Sequence, residues 1–127
     1  MMEKKIEGAR DLGFLLTEAP GALSRESVTI VSGEGVLAPG TVLGQVTASK
    51  KFVASPNAEV VGKEGGETAT AILAYRVDAT ASDIEAVVID MNAEVKGPEL
   101  AYHASVDDET KRGAKATQLR GVHIKVR

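Results

Sequence analysis

From Val28 onward the apolar residues of this chain come in brief runs, each closed by glycine, proline or a polar cluster. Residues 28–31 are β-branched at all four positions and end at Ser32-Gly33-Glu34-Gly35. Val36-Leu37 leads to Pro39-Gly40, where proline presets φ and glycine accepts a positive φ, the chemistry of a tight turn. Punctuation this dense predicts a mainly β domain of short strands. Further strands are expected over 41–47, 51–54, 68–77 and 84–91, with Ile72-Leu73 at the centre of the third. Gly44 inside the first of these marks a bulge or a close backbone approach. Residues 60–66 read as a glycine-containing loop. Residues 93–95 and 100–102 flank Lys96-Gly97-Pro98, which reads as a hairpin-type connection.

One helix is expected, over about 108–119. Asp107 or Asp108 can cap it, and acids in its first turn suit the positive end of the helix dipole. Asp107–Lys111 and Asp108–Arg112 are acid-first i,i+4 pairs. Gly113 within it costs about 1 kcal/mol against alanine, so the helix is short or supported by packing. Gly121 ends it. Val122, Ile124 and Val126 then alternate with His123, Lys125 and Arg127, a half-buried last strand.

The first 27 residues differ in character. Residues 1–10 are charged and aperiodic, and Leu12, Phe14, Leu15 and Leu16 then form an apolar cluster. A helix there would be interrupted by Gly13 and stopped by Pro20. We divide the chain into an N-terminal arm, 1–27, and a β-rich domain, 28–127. An edge strand folded onto the domain is the alternative for the first stretch.

Composition narrows the function. A chain of 127 residues suggests one domain, and 43% hydrophobic with 26% charged residues excludes a disordered polyampholyte. The absence of cysteine excludes disulfides, thiolate metal sites and cysteine nucleophiles. Aromatics at 3% and a net charge of −3 argue against nucleic acid as a partner. No apolar run approaches the roughly 18–20 residues that span a bilayer, so no membrane partner is expected. The first residues lack the apolar stretch of a secretory leader, and cytosolic synthesis is expected. Charge is uneven: residues 107–127 hold six basic and three acidic side chains, against nine and fifteen in the remainder. A basic end on an acidic body suggests a polar contact surface, though solvation of a helix explains any single charge.

Chemistry-bearing residues do not assemble into a motif. His103 lies near Asp107, Asp108 and Glu109, with Ser105 the nearest hydroxyl, but neighbours on one loop rarely align three groups, and capping accounts for the acids. Gly62-Lys63 resembles the end of a phosphate loop. However, Glu64 stands where serine or threonine is needed and Asn57 where the first glycine is needed. Asp78 and Asp83 have no accompanying pocket signal, and His123 alternates outward. No enzymatic activity, metal or cofactor is expected. A short-stranded β domain does have edges that must be paired, covered or closed. An oligomer that binds a larger protein surface relieves them, and an adhesive arm can add a strand to a partner. Several linked arms raise avidity by ~10²–10⁴.

An ordered series of segments is similar to the head decoration proteins of tailed bacteriophages, the phage lambda family. It comprises Phe14-Leu15-Leu16-Thr17-Glu18-Ala19, Gly21-Ala22-Leu23-Ser24-Arg25-Glu26 and Leu37-Ala38-Pro39-Gly40-Thr41-Val42-Leu43-Gly44. It continues with Ala71-Ile72-Leu73 before Val77-Asp78-Ala79-Thr80, Ala93-Glu94-Val95 before Glu99-Leu100, and Asp108-Glu109-Thr110-Lys111 before the helix and last strand. The resemblance covers about residues 7–127, and the basic, charge-alternating end departs from more apolar members. It implies a β-clip-type fold with one short C-terminal helix and an extended N-terminal arm, forming a homotrimer. It also implies a place on the outer surface of the expanded capsid, at threefold and quasi-threefold positions, where the trimer reinforces the shell against packaged DNA. The partners are then the major capsid protein and other copies of the chain, with no cofactor, and synthesis takes place in the host bacterial cytoplasm. Leu12, Phe14, Leu15 and Leu16 are the expected capsid contacts, and loss of residues 1–20 is expected to leave the body folded. The alternatives are a small barrel or sandwich that binds sugar or protein, and a trimeric β-clip enzyme like the dUTPases. The latter lacks an aspartate-bearing glycine-rich nucleotide motif and a suitable aromatic near the end.

Overall fold

The computed structural model describes residues 11–19 and 24–127; the readings of 1–10 and 20–23 lie outside them. The described strands are β1 (Leu15–Glu18), β2 (Arg25–Ile30), β3 (Gly35–Leu37), β4 (Val42–Gln45), β5 (Phe52–Ala54), β6 (Ala69–Leu73), β7 (Val77–Ala79), β8 (Ile84–Ile89), β9 (Ala93–Val95) and β10 (Ile124–Val126). One helix, α1 (Glu109–Arg120), and a 3-10 turn at Gly97–Glu99 complete the set.

Five strands close a barrel in the order β2-β5-β4-β6-β8. The β2–β8 pairing is the longest, running from Arg25↔Ile89 to Ile30↔Ile84. Ile30, Leu43, Phe52, Ala71, Leu73 and Val88 fill the interior. A second layer lies over the outside of β4, β6 and β8. It consists of the sheet β1-β9-β10 together with α1, and its core holds Phe14, Val42, Ile72, Ile89, Val95, Leu119 and Ile124. This explains the doubled apolar residues of three strands. In Val42-Leu43, Ile72-Leu73 and Val88-Ile89, one side chain enters the barrel and its neighbour the outer layer. Strands buried on both faces lose the alternation of a half-solvated strand. The ribbon β3–β7 adds Leu37 and Ala79 to the barrel interior.

Two glycines act as expected. The β4–β6 register shifts at Leu43/Gly44, and a Cβ built on Gly44 would stand 2.0 Å from the Gly66 carbonyl oxygen, so only glycine fits. Gly40 takes φ +89° in the Pro39-Gly40 turn and donates its N–H to Leu73 O at 2.8 Å. The Asp108 carboxylate caps α1 by accepting from Lys111 N at 2.8 Å, and Lys111 pairs with Asp107 at 2.8 Å. No Asp108–Arg112 side-chain pair forms, because the Asp108 carboxylate is turned to the helix end. Gly121 keeps a right-handed φ of −62°, and the positive φ that turns the chain into β10 falls on His123.

Two expectations are corrected. The single strand over 68–77 is two, since β6 ends at Leu73 and β7 pairs with β3 outside the barrel. The hairpin around Lys96-Gly97-Pro98 does not form. Lys96 N donates to Phe14 O at 2.7 Å and Gly97 N to Arg127 O at 2.9 Å, so the chain ends capture these donors. β9 therefore pairs antiparallel with β1 and parallel with β10.

α1 carries a lysine where a solvated charge was expected. Lys115 is 1% exposed, and its ammonium donates to Ser55 Oγ (2.9 Å), Pro56 O (2.6 Å) and Glu67 O (2.5 Å). Ser55 Oγ in turn donates to Gly66 O at 2.8 Å. Three acceptors match the three protons of the group, which offsets part of the cost of burying the charge. Burial still holds its pKa below the usual lysine value.

Candidate functional site

The segment 11–18 is secured at both ends. Leu12 N donates to Ala74 O at 3.0 Å, and Asp11 Oδ1 accepts from Arg76 N at 3.3 Å. Leu12 takes φ 58°, and Leu15 N returns to Leu12 O at 3.0 Å, closing a turn that drives Phe14 inward. Phe14 is 2% exposed in the outer-layer core, with Leu12 and Leu15 packed beside it, whereas Leu16 is 44% exposed. Of the four residues singled out from the sequence, one is an interior anchor, two are partly covered and one faces out. β1 and the first three residues of β2 fall within the stretch 1–27 that was read as an arm.

β1 is an edge: β9 flanks it on one side, and no other described strand flanks it on the other. Its end is clamped. Arg25 Nε and Nη2 donate to the two oxygens of Glu18 at 2.9 and 2.6 Å, and Arg25 Nη1 donates to Tyr75 OH at 3.1 Å. This forked contact holds the Glu18 carboxyl below the usual range and raises the guanidinium. Ser24 Oγ accepts from Ala19 N at 2.9 Å and donates to Asn92 O at 3.0 Å. Across the sheet, Glu94 accepts from Thr17 Oγ1 at 3.0 Å and from Arg127 Nε and Nη2 at 3.0 and 2.6 Å. The Arg127 hydrogen bonds, first among its causes, lower the Glu94 pKa. The outcome is a braced strand edge that presents Leu16 and Thr17, with the Glu18–Arg25 pair and Tyr75 at its end.

The remaining sequence candidates have local partners. His103 Nδ1 accepts from Ser105 N at 3.1 Å and lies 2.8 Å from Ser105 Oγ, which also accepts from Asn57 N at 2.9 Å. The nearby acids serve α1. At Gly62-Lys63, Gly62 N donates to the Glu64 carboxylate at 2.9 and 3.0 Å, and Lys63 pairs with Glu34 at 2.7 Å. The donors a phosphate would need are engaged by carboxylates of the chain itself. Asp78 accepts from Thr80, and Asp83 from Ser32 N and Lys51, so each closes a turn or loop.

Sequence reasoning missed the Arg25–Glu18–Tyr75 clamp and a carboxyl pair, Glu26 and Asp90. Glu26 lies on β2 opposite Val88, and Asp90 N donates to Ser24 O at 3.0 Å, so the two acids sit diagonally across the β2–β8 ladder. Burial first, and then the Glu26 carboxyl, push the Asp90 pKa up to about 7. Arg25 reaches Tyr75 fifty residues on and Glu26 meets Asp90 from still further, separations that leave no local signal, and Glu18 and Arg25, seven apart, meet from separate strands, β1 and β2.

A small barrel with a braced, unpaired strand edge and an outward leucine has the makings of a protein that works by contact with a larger protein surface. The family model for the bacteriophage lambda head decoration protein D matches residues 4–124, and the chain belongs to this family of phage head proteins. No curated protein matches it. Membership makes the chain a structural component associated with the phage capsid.

Proposed function

We propose that the protein binds as a homotrimer to threefold and quasi-threefold positions on the outside of the expanded phage head and cements the shell against the pressure of packaged DNA. The match to the decoration family over nearly the whole chain carries this reading. The free, braced edge of β1 supports it, because an unpaired edge can add to strands of the major capsid protein. In this reading the stretch 1–27 engages the shell. Leu16 supplies the open apolar contact, Leu12 and Leu15 its flanks, and Phe14 the anchor that fixes their direction. A trimer astride a threefold axis touches neighbouring capsomers together. It stabilises the expanded lattice by its differential affinity for that state.

The test mixes purified protein with expanded, undecorated heads and measures occupancy. Saturable filling of threefold positions, with a higher disruption temperature of the shell, is the expected result. Leu16→Asp should weaken binding about tenfold without lowering the melting temperature of the free protein. Heads left bare at saturating protein would refute the decoration reading. Unchanged binding by Leu16→Asp would refute the assigned contact.

A further inference from the structure

The barrel has one weak seam. β2 and β5 meet at a single register pair, Ile30↔Phe52, with Val31 N donating to Phe52 O at 3.0 Å just beyond it. Below that point the two strands part, and a cavity of about 620 Å³ opens between the β2 edge from Glu26 to Thr29 and the β4–β5 hairpin. Four residues of strand edge span about 13 Å, the length of a short extended peptide. Phe52 and Val28 give the cavity apolar wall, while Glu26 and Asp90 stand together in its lining. Thr70 also lines it, and its Oγ1 is buried without a hydrogen-bond partner.

We propose that this seam is a slot for an extended segment of the capsid protein, which lies along the β2 edge and places a lysine or arginine side chain between Glu26 and Asp90. The proposal rests on the decoration reading and adds a second contact, separate from the β1 edge. The seam supplies the backbone partners of strand addition. Charge complementarity selects the occupant. Two carboxyls crowded together share a proton when alone, and both ionise when a cation sits between them. The other charged groups facing this pair across the cavity are Lys50 and Lys51, from the β4–β5 hairpin. Lys51 is occupied by Asp83 at 2.5 Å. β6 contributes Thr70, and the turn after α1 contributes Val122, neither of them charged. Ionisation releases the shared proton, so attachment strengthens as pH rises through about 7.

The experiment measures hydrogen exchange and head affinity for wild type and the double variant Glu26→Gln/Asp90→Asn, at pH 6 and pH 8. The expected result is that amides of residues 26–29 gain protection only on heads. The double variant should bind about tenfold more weakly at pH 8, and the wild-type preference for pH 8 should vanish in it. Glu26→Lys puts a cation beside Asp90 within the chain itself, so it should fold and block the slot even if the double variant does not fold. If wild type binds heads without protecting residues 26–29, or if the variants match it, the slot is refuted and the decoration reading stands. Concentration-dependent protection in free protein assigns the slot to a second copy and refutes the capsid occupant. Failure of wild type to bind heads overturns the decoration reading and this occupant together.

Discussion

The barrel interior and the outer layer are two apolar cores drawn from different reaches of the chain. The interior is filled by side chains from strands that mostly follow one another along the chain, and Lys51–Asp83 and Lys63–Glu34 tie the loops around it. The outer layer joins segments from both ends of the sequence, and polar ties reinforce it: Glu18–Arg25, Glu94–Arg127 and the buried Lys115. The contrast teaches that the exposed strand edge, β1, is mounted on the non-local layer. Holding it there requires directional contacts in addition to apolar burial.

The sharpest way to break this comparison is Phe14→Ala. Loss of a fully enclosed aromatic ring should cost about 3–5 kcal/mol. If the layers are separable, hydrogen exchange will speed up in β1, β9 and β10 while β4, β6 and β8 stay protected. Uniform loss of protection would show one cooperative unit. The same result bears on truncation, because deleting residues 1–20 removes this ring from the core. Lys115→Met comes next. It strands the Pro56 and Glu67 carbonyls and should cost about 2–4 kcal/mol in denaturant unfolding. A neutral result would mean that water replaces the ammonium.

Asp90→Asn should act in the opposite direction. The folded-state pKa is raised above its unfolded value, so the native state binds the extra proton and loses stability as pH climbs from about 4 to 7. The variant should therefore gain stability on the order of 1 kcal/mol at pH 8, allowing for solvent screening, and little at pH 4. Equal gains at both pH values would remove the carboxyl pair as the cause. Arg25→Ala should show the smallest effect, up to about 1 kcal/mol, because the pair is partly solvated. Glu18 has a lowered folded pKa, so the pair's contribution is present above the ordinary carboxylate value and fades as pH falls through the folded one. Thermal melts of wild type and variant should converge in acid.

Much of the fold was legible because its signals are local. Pro39-Gly40, Asp108 before an acid-led helix and the alternation of Ile124 and Val126 each involve neighbours in the chain, whereas Val122, read as part of the same strand, lies in the turn before β10. Gly44 was legible as a close approach, though not what it approaches. The candidate edge was half legible. The cluster Leu12, Phe14, Leu15 and Leu16 stood out, but its division into one anchor and one exposed contact depends on the turn at Leu12 and on Lys96 N bonding to Phe14 O.

By itself the sequence determined short strands, their turns, the C-terminal helix with its cap, and a kinship legible in an ordered series of segments. Only the tertiary structure decided that β9 joins the two chain ends, that Lys115 lies inside, and that Glu26 meets Asp90. The reason is physical. Turns and caps are settled by energies within a few residues, whereas strand partners and buried charges are settled by which distant surfaces exclude water together.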